Sequence, residues 1–165
     1  MKIWNEIWDY VKMIIIVVVV VLFVNNFILI NAKIPSESME NTIMTGDRVF
    51  GFRLAYGLNV DLFGKHISKK VKDPERFDII IFKYPDDESQ LFIKRLIGLP
   101  GETVRIRNGV IYIDGEVYDE AADYPEIINP GLAENGVSLK SGEYFVLGDN
   151  RNNSEDSRYA DIGTV

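Results

Sequence analysis

The feature that most constrains this chain is an uncharged apolar run close to its start. Residues 13–30, MIIIVVVVVLFVNNFILI, contain no charged side chain. As a helix this run is about 27 Å long, close to the thickness of a bilayer core. The residues before it are amphipathic and rich in aromatic side chains, and the exit INAKIP lacks the small-residue pattern of a cleaved signal peptide. We predict a retained transmembrane anchor over 13–32, preceded by a short amphipathic N-terminus over 1–12.

Charge and composition exclude several classes of function. The net charge is −7 and the pI about 4.8, whereas nucleic-acid binding needs a concentrated basic surface, so we predict no nucleic-acid partner. The absence of cysteine excludes disulfides, thiolate catalysis and cysteine-based zinc sites. The single histidine, His66, lies in the basic stretch GKHISKKVKDPER without acidic residues at ligand spacing. We predict a surface loop position for it, and neither a metal nor a cofactor for the protein.

Beyond Pro35 the pattern changes to short apolar runs separated by turn-forming residues, which is typical of a β-rich domain. RFDIIIFKYP and QLFIKRLIGLPG are predicted to be buried strands. ETVRIRNGVIYIDGEVY contains an Asn-Gly and an Asp-Gly dipeptide between alternating runs, which predicts a meander with two tight hairpin turns. After a polar excursion, EYFVLGDN is predicted to be a further strand that ends at Gly148.

One predicted strand contains a lysine and an arginine in an apolar setting. In LFIKRLIG, strand alternation places Lys94 and Arg95 on opposite faces. Burial disfavours the charged form of a lysine, so a desolvated Lys94 becomes a neutral amine that can act as a base near neutral pH. A protective lysine on an edge strand, or a snorkelling side chain at a domain rim, explains the same pattern.

Two polar segments could supply a reactive group. IPSESMENTIMTGDRVF places Ser36 and Ser38 two residues apart directly after the apolar run, where a polar turn ending a helix is the simpler interpretation. GDNRNNSEDSR follows a predicted strand and is rich in residues that form Asx turns. Its residues Ser154, Asp156 and Arg158 alternate, so an extended backbone would direct all three side chains to one side, where they could orient a base.

Taken together, these segments resemble the bacterial type I signal peptidases, the membrane-anchored Ser/Lys endopeptidases. The resemblance rests on IPSESMENTI followed by GDRVF, on FIKRLIGLPGE and on GDNRNNSEDSR, which occur in the family's order after an N-terminal span. It implies a mainly β fold, a β-barrel-type catalytic domain like those of signal peptidase and LexA, behind one transmembrane helix. The extracytoplasmic peptidase domain would cover 33–165.

The resemblance also implies roles for individual residues. Ser38 would be the nucleophile and Lys94 the general base, while Ser36 and the Ser38 backbone N–H would form the oxyanion hole. Ser154 would orient the Lys94 amine. Supporting ion pairs would join Arg95 to Asp149 and Asp156 to Arg158.

The expected partners are the signal peptides of exported preproteins and the lipid bilayer. The family's topology implies a single-pass protein of the bacterial cell membrane, with its N-terminus in the cytoplasm and the catalytic domain on the outer face. Substrate would bind as an added strand, and small pockets would select small residues such as alanine before the cut. The positions that match the pocket lining are Ile34, Met39, Ile43, Phe92 and Ile93.

The chain departs from the family pattern at several points. Asn41 stands where many members carry proline, Glu37 replaces a small residue between the two serines, and Phe77 stands where glycine is usual. The family normally continues past a segment like SRYADIGTV into a further strand containing Gly-Lys-Ala, so we expect a truncated or minimal form. Two other functions fit the pattern: a LexA-like Ser/Lys self-cleaving switch, and a membrane-tethered β-domain that binds peptides without cutting them.

Overall fold

The computed structural model of the protein describes residues 2–62, 65–118 and 124–165. The chain forms two compact units. The first comprises Met1–Lys33 and Arg48–Asp73, and the second comprises Ile34–Asp47 and Pro74–Val165. Each unit therefore contains two separate segments of the sequence.

The first unit begins with helix α1, Lys2–Phe23, which continues as a π-helical turn over Val24–Ile28. Among the described residues this is the one helix long and apolar enough to cross a membrane, counted from Ile3 to Ile28. It starts earlier than the predicted anchor and also ends earlier, because Leu29–Lys33 form strand β1. The backbone groups of β1 are hydrogen-bonded to a second strand, and this pairing replaces a last helical turn.

Two antiparallel hairpins complete the first unit. Strand β1 pairs with β2, Arg48–Phe52, and strand β3, Gly57–Leu62, pairs with β4, Lys65–Lys70. The prediction of a surface loop around His66 is wrong for the backbone, because His66 pairs with Asp61 within the second hairpin. The side chain of His66 lies outside the described part of the structure.

A three-stranded antiparallel sheet carries the lysine of interest in the second unit. It consists of β5, Ile79–Tyr84, β6, Asp87–Gly98, and β11, Phe145–Leu147, in the order β11-β6-β5. Strand β6 is central, which is why its C-terminal half is buried. Strand β5 lies at an edge of this sheet.

A four-stranded sheet in the same unit contains the predicted meander. Its order is β10-β7-β8-β9, with β7 at Thr103–Arg107, β8 at Val110–Ile113, β9 at Glu116–Val117 and β10 at Val137–Ser138. Both predicted hairpin turns are present, at Asn108-Gly109 and Asp114-Gly115, and all four residues have positive φ as such two-residue turns require. The core of the unit lies between the sheets and the loops that cover them, and contains Ile97, Val104, Ile106, Ile111, Ile127, Ala133, Leu139, Phe145 and Leu147.

The turn that enters β5 places Phe77 in a backbone conformation that favours glycine. Phe77 has a φ of 75°, a left-handed conformation in which glycine meets no steric penalty. Its N–H donates to the Leu96 carbonyl at 2.8 Å, and its ring stacks on Tyr118 with 5.6 Å between ring centroids. This stacking contact and the backbone bond offset part of the strain that the side chain introduces.

The prediction of a mainly β protein behind one apolar N-terminal helix is confirmed. The described strands form separate sheets of two, four, three and two strands. Within the described ranges these sheets do not close into a barrel, because edge strands such as β5 and β9 remain without a second neighbour. In this respect the architecture differs from the barrel-type domain that the resemblance implied.

Candidate active site

Ser38 lies in a closed loop formed by Ile34–Asp47. The N–H of Ile34 donates to the Asp47 carbonyl at 2.9 Å, and the N–H of Gly46 donates to the Ile34 carbonyl at 2.9 Å. These two bonds join the ends of the loop. Ser38 is 8% exposed and the following Met39 is 1% exposed, so the loop directs this part of the chain toward the interior of the unit.

Lys94 on β6 contacts the Ser38 hydroxyl directly. Lys94 Nζ donates to Ser38 Oγ at 2.7 Å, and Lys94 is 3% exposed. Among the described residues Ser38 is the only hydrogen-bond partner of this amine. The side chain also passes the ring of Phe92, with Nζ 5.3 Å from the ring centroid. The two residues singled out as nucleophile and base are therefore within hydrogen-bonding distance.

Burial of Lys94 raises the fraction of its amine that is neutral near physiological pH. The pKa of Lys94 is lowered from 10.5 to about 8, chiefly by desolvation and also by the positive charge of Arg158. The carboxylates of Asp156 and Glu155 act in the opposite direction, but burial is the larger effect. A substantial neutral fraction of Lys94 is thus available at mildly alkaline pH, as proton abstraction requires.

Ser36 lies next to Ser38 on the exposed side of the loop. Its Oγ is 3.3 Å from Ser38 Oγ, and its side chain is exposed. A hydroxyl at this distance can rotate to donate toward an oxygen atom bound beside Ser38. The arrangement fits the oxyanion role that the resemblance implied, and that role stays a prediction.

Ser154 is close to this loop but does not bond to Lys94 within the described structure. Its Oγ donates to the Glu155 carbonyl at 3.4 Å. A Cβ added at Gly148 would lie 2.2 Å from Ser154 Oγ and 2.4 Å from the Ser38 carbonyl oxygen. Gly148 therefore lets Ser154 and Ser38 approach the same point from two sides. The base-orienting role of Ser154 stays a prediction.

Arg95 and Asp149 form a two-bond ion pair. Arg95 Nε and Nη2 donate to the two carboxylate oxygens of Asp149 at 2.8 Å and 2.7 Å, and Asp149 is completely buried. The hydrogen bonds to Asp149 raise the pKa of Arg95 above its usual value. The hydroxyl of Thr42 also donates to Asp149. Through Asp149 and Arg95, this contact links the Ser38 loop to the strand that carries Lys94, and nothing in the local sequence pattern indicated it.

Asp156 and Arg158 form the second expected pair, which is buried. Arg158 Nε and Nη2 donate to the carboxylate of Asp156 at 2.8 Å and 2.9 Å, and the N–H of Gly148 donates to the same carboxylate at 3.1 Å. Arg158 also donates to the carbonyls of Asn129 and Arg151. The pair thus holds the chain just after β11 in place.

The positions that match the substrate pockets differ in burial. Ile34, Met39 and Ile93 are buried, whereas Ile43 and Phe92 are partly exposed. Phe92 stacks on Tyr84 of β5 with 4.8 Å between the ring centroids and 10° between the ring planes. The pocket-lining role of the five residues stays a prediction.

A metal site is not found in the described ranges. Among residues 2–62, 65–118 and 124–165, no group of three or more histidine, cysteine, aspartate or glutamate side chains could hold a metal ion.

Comparison with known proteins gives this geometry a family context. A family model described as signal peptidase, peptidase S26, matches residues 7–165, nearly the whole chain. The chain belongs to this family. This match confirms the family resemblance that the three motifs indicated.

Several family members are similar to the chain over most of its length. A signal peptidase I of Pseudomonas aeruginosa is 31% identical, and the match covers 92% of this chain and 62% of that protein. A probable signal peptidase I-2 of Synechocystis is 39% identical over 82% of this chain and 57% of that protein. A signal peptidase I of Bacillus amyloliquefaciens is 34% identical over 93% of this chain and 78% of that protein. The chain spans less than two thirds of the length of the first two relatives.

A solved structure from the same family is also similar. The crystal structure of a signal peptidase I from Enterococcus faecalis matches 58% of this chain and 92% of that chain, with 38% sequence identity and a TM-score of 0.45.

Proposed function

We propose that the chain is a membrane-bound serine endopeptidase that removes N-terminal signal peptides from exported preproteins, cutting after small residues. The observation that carries this proposal is the 2.7 Å contact between Ser38 Oγ and the buried amine of Lys94. A lysine with a pKa of about 8 beside a serine hydroxyl is the arrangement that a Ser/Lys dyad requires. The names of the relatives, which are signal peptidases, support the same reaction.

Acylation of the enzyme uses both residues. The neutral Lys94 amine accepts the proton of the Ser38 hydroxyl as Oγ bonds to the scissile carbonyl carbon. The oxygen of the tetrahedral intermediate becomes negative, and the Ser38 N–H and the Ser36 hydroxyl donate to it. The Lys94 ammonium then protonates the departing amine, the C–N bond breaks, and the signal peptide remains as an ester on Ser38.

Deacylation repeats these steps with water. Lys94 accepts a proton from a water molecule as the water oxygen bonds to the ester carbon. The second tetrahedral intermediate collapses, the ester bond to Ser38 breaks, and Lys94 returns the proton to Ser38 Oγ. In this mechanism Ser154 orients the Lys94 amine, and the pairs Arg95–Asp149 and Asp156–Arg158 hold the surrounding segments without reacting.

Substrate binds as an extended strand in this proposal. Among the described strands β6 is the one neighbour of β5 in its sheet, so a peptide would add along the other side of β5, and the segment from Ile34 to Ser38 would flank the same peptide. Side chains of the peptide would enter pockets lined by the apolar positions already named, namely Ile34, Met39, Ile43, Phe92 and Ile93.

The apolar helix anchors the enzyme in the bacterial cell membrane, with the N-terminus in the cytoplasm and the β-rich domain on the outer face. Strand β1 and a few further residues separate the end of the helical segment at Ile28 from Ser38 along the chain. A short tether of this kind suits a substrate whose own apolar helix remains in the bilayer.

Incubation of the full chain in detergent with an exported preprotein tests the proposal. We expect cleavage after an Ala-x-Ala-like site, loss of cleavage in Ser38→Ala and Lys94→Ala, and a loss of about 10²–10³-fold in kcat for Ser36→Ala, the usual effect of removing one oxyanion donor. Lys140→Ala, which removes an exposed lysine, is the matched control and should retain full activity.

Other outcomes of the same incubation identify the alternative functions. Cleavage of the chain itself without cleavage of the preprotein would indicate a LexA-like switch. Binding of the preprotein without any cleavage would indicate a peptide-binding domain. Full cleavage by Lys94→Ala would contradict the dyad.

A further inference from the structure

One peptide group joins Glu37 to Ser38, and it includes the backbone N–H that would donate to the oxyanion. A trans peptide is planar, so the Glu37 carbonyl and the Ser38 N–H point in opposite directions in one plane. Whatever holds the Glu37 carbonyl therefore also sets the direction of the Ser38 N–H.

The Glu37 carbonyl accepts two hydrogen bonds. The N–H of Glu40 donates to it at 3.0 Å, and Asn150 Nδ2 donates to it at 3.2 Å. The backbone N–H of Asn150 donates to the Ser38 carbonyl at 3.1 Å. Asn150 thus holds the peptide groups on both sides of the Ser38 Cα. Hydrogen bonds accepted by a carbonyl also polarise its peptide group, which makes the N–H on the other side a stronger donor.

The Glu37 side chain makes a second contact with the same turn. Its carboxylate accepts a hydrogen bond from Asn153 Nδ2 at 2.8 Å. The N–H of Asn153 donates to the Asn150 carbonyl at 3.0 Å, so one turn carries both asparagines. The small residue usual at this position in the family has no side chain that could reach Asn153. In this chain a charge-assisted bond therefore reinforces the backbone contacts.

We propose that Glu37, Asn150 and Asn153 are positioning residues that fix the Glu37–Ser38 peptide and so direct the Ser38 N–H toward the developing oxyanion. The inference rests on the proposed function, whose oxyanion hole it details. These residues act through the Ser38 backbone. An oxyanion hole is effective because its donors are already oriented before charge develops, so loosening this peptide lowers kcat more than it changes KM.

The pH dependence of the reaction separates this role from an electrostatic one. The charged groups that act on Lys94 are Asp156, Glu155 and Arg158, and Glu37 is not among them. We therefore expect Glu37→Ala to lower kcat about 10-fold, as a small misplacement of catalytic groups does, with no change in the apparent pKa of the pH–rate profile.

A donor–acceptor swap tests the contact itself. The full chain in detergent is assayed on an exported preprotein as Glu37→Ala, Glu37→Gln, Asn153→Asp and the double variant Glu37→Gln/Asn153→Asp, with kcat expressed per folded enzyme. Glu37→Gln keeps an acceptor and should retain nearly full kcat. Asn153→Asp places two carboxylates together and should lower kcat by at least 10-fold. The double variant restores one donor and one acceptor, and should recover most of that loss.

Glu40→Ala is the matched control for Glu37→Ala. Its carboxylate lies in the same loop and accepts a hydrogen bond from Thr45 Oγ1 at 3.1 Å, but that partner is in the loop itself. We expect kcat to remain within about 2-fold of the unsubstituted chain. Asn150→Ala should lower kcat at constant apparent pKa, as Glu37→Ala does.

Three results would overturn the inference while leaving the proposed function intact. These are unchanged kcat in Glu37→Ala, a double variant no more active than Asn153→Asp, and equal losses in Glu40→Ala and Glu37→Ala. If the unsubstituted chain does not cleave the preprotein, the proposed function fails and the inference fails with it.

Discussion

Lys94 Nζ donates a 2.7 Å hydrogen bond to Ser38 Oγ across 56 positions of sequence. The contact forms because a central strand buries Lys94 while a closed loop turns Ser38 toward it. Burial lowers the pKa of the lysine, and the loop supplies the hydroxyl that the neutral amine can deprotonate. Several consequences of this arrangement can be measured.

The rate of cleavage should depend on the protonation of Lys94. Because the pKa of Lys94 is about 8, the neutral base becomes more abundant as pH rises through that value. We expect kcat/KM to rise about tenfold per pH unit below pH 8 and to level off above it. A pH–rate profile of the full chain in detergent measures this dependence. A flat profile, or a rise centred above pH 10, would contradict a buried lysine base.

The lowered pKa means that Lys94 reduces the free energy of unfolding at neutral pH. The unfolded chain keeps a lysine pKa near 10.5 while the folded pKa is about 8, so between these values the unfolded state binds more protons and stability rises with pH. Below pH 8 both states are protonated and the burial cost is fully present. At about 1.4 kcal/mol per pH unit, Lys94→Met should stabilise the fold at pH 7 by about 3 kcal/mol.

Denaturant unfolding followed by the circular dichroism of the β-sheets measures this effect, because both tryptophans lie in α1, which belongs to the first unit. The variant should also lose the rise in stability between pH 8 and 10.5. Lys140→Met, at an exposed lysine, is the control. Equal stability of Lys94→Met and the unsubstituted chain at pH 7 would argue against a desolvated amine.

Removal of Arg95 should destabilise the second unit strongly. Asp149 is completely buried, so Arg95→Ala leaves a carboxylate that has lost its two charged bonds, at a cost of about 3–5 kcal/mol. Thermal or denaturant unfolding measures the loss, and a double variant with Asp149→Ala should cost less than the two single variants together. The exposed pair Lys83–Glu88 is the control and should contribute no more than about 1 kcal/mol. Strict additivity at Arg95 and Asp149 would exclude the coupling.

Gly148→Ala should displace the Ser38 loop. The added Cβ would meet Ser154 Oγ at 2.2 Å and the Ser38 carbonyl oxygen at 2.4 Å, so the Ser38 loop must shift. We expect kcat to fall by about 10²-fold, as displacements near 1 Å do. In Gly142→Ala the new Cβ meets nothing within 4 Å, so this control should lose some stability through its φ of +82° but keep its activity. Full activity in Gly148→Ala would contradict this prediction, because it would mean that the Ser38 loop can shift without lowering kcat.

The proline that many family members carry should not be tolerated at position 41 of this chain. Asn41 has a φ of 83°, whereas proline is restricted to about −65°. We expect Asn41→Pro to destabilise the fold by at least about 1 kcal/mol and to lower activity, because residue 41 lies in the Ser38 loop. Asn41→Gly, which accepts positive φ, should be neutral or slightly stabilising. Unfolding and cleavage assays of both variants measure these effects, and a fully active, equally stable Asn41→Pro would contradict the loop geometry.

Local features were predictable because they depend on short-range chemistry. The uncharged run predicted a membrane-competent helix, and the Asn-Gly and Asp-Gly dipeptides predicted the two hairpin turns. The lysine in an apolar strand predicted a lowered pKa on the condition that Lys94 is buried, and the central position of β6, which the sequence pattern left open, meets that condition. The hairpin containing His66 was missed because its second strand, KHISKK, has one apolar residue and was interpreted as part of a charged turn, although the first strand, GLNVDL, alternates apolar and polar residues. The last residues of the expected span became β1 because a partner strand was available to pair with them.

By itself, the sequence determined the apolar helix, the β-rich domain and, through family motifs, the identity of Ser38 and Lys94 as the pair to test. Only the tertiary structure decided what surrounds them. It places the Thr42 hydroxyl against Asp149, and it brings Asn150 and Asn153 into hydrogen-bonding distance of Glu37. Periodicity and turn chemistry act over a few residues and leave a mark in the local sequence. Hydrogen bonds between segments more than 100 residues apart depend on how the chain packs, and that packing leaves no comparable local pattern.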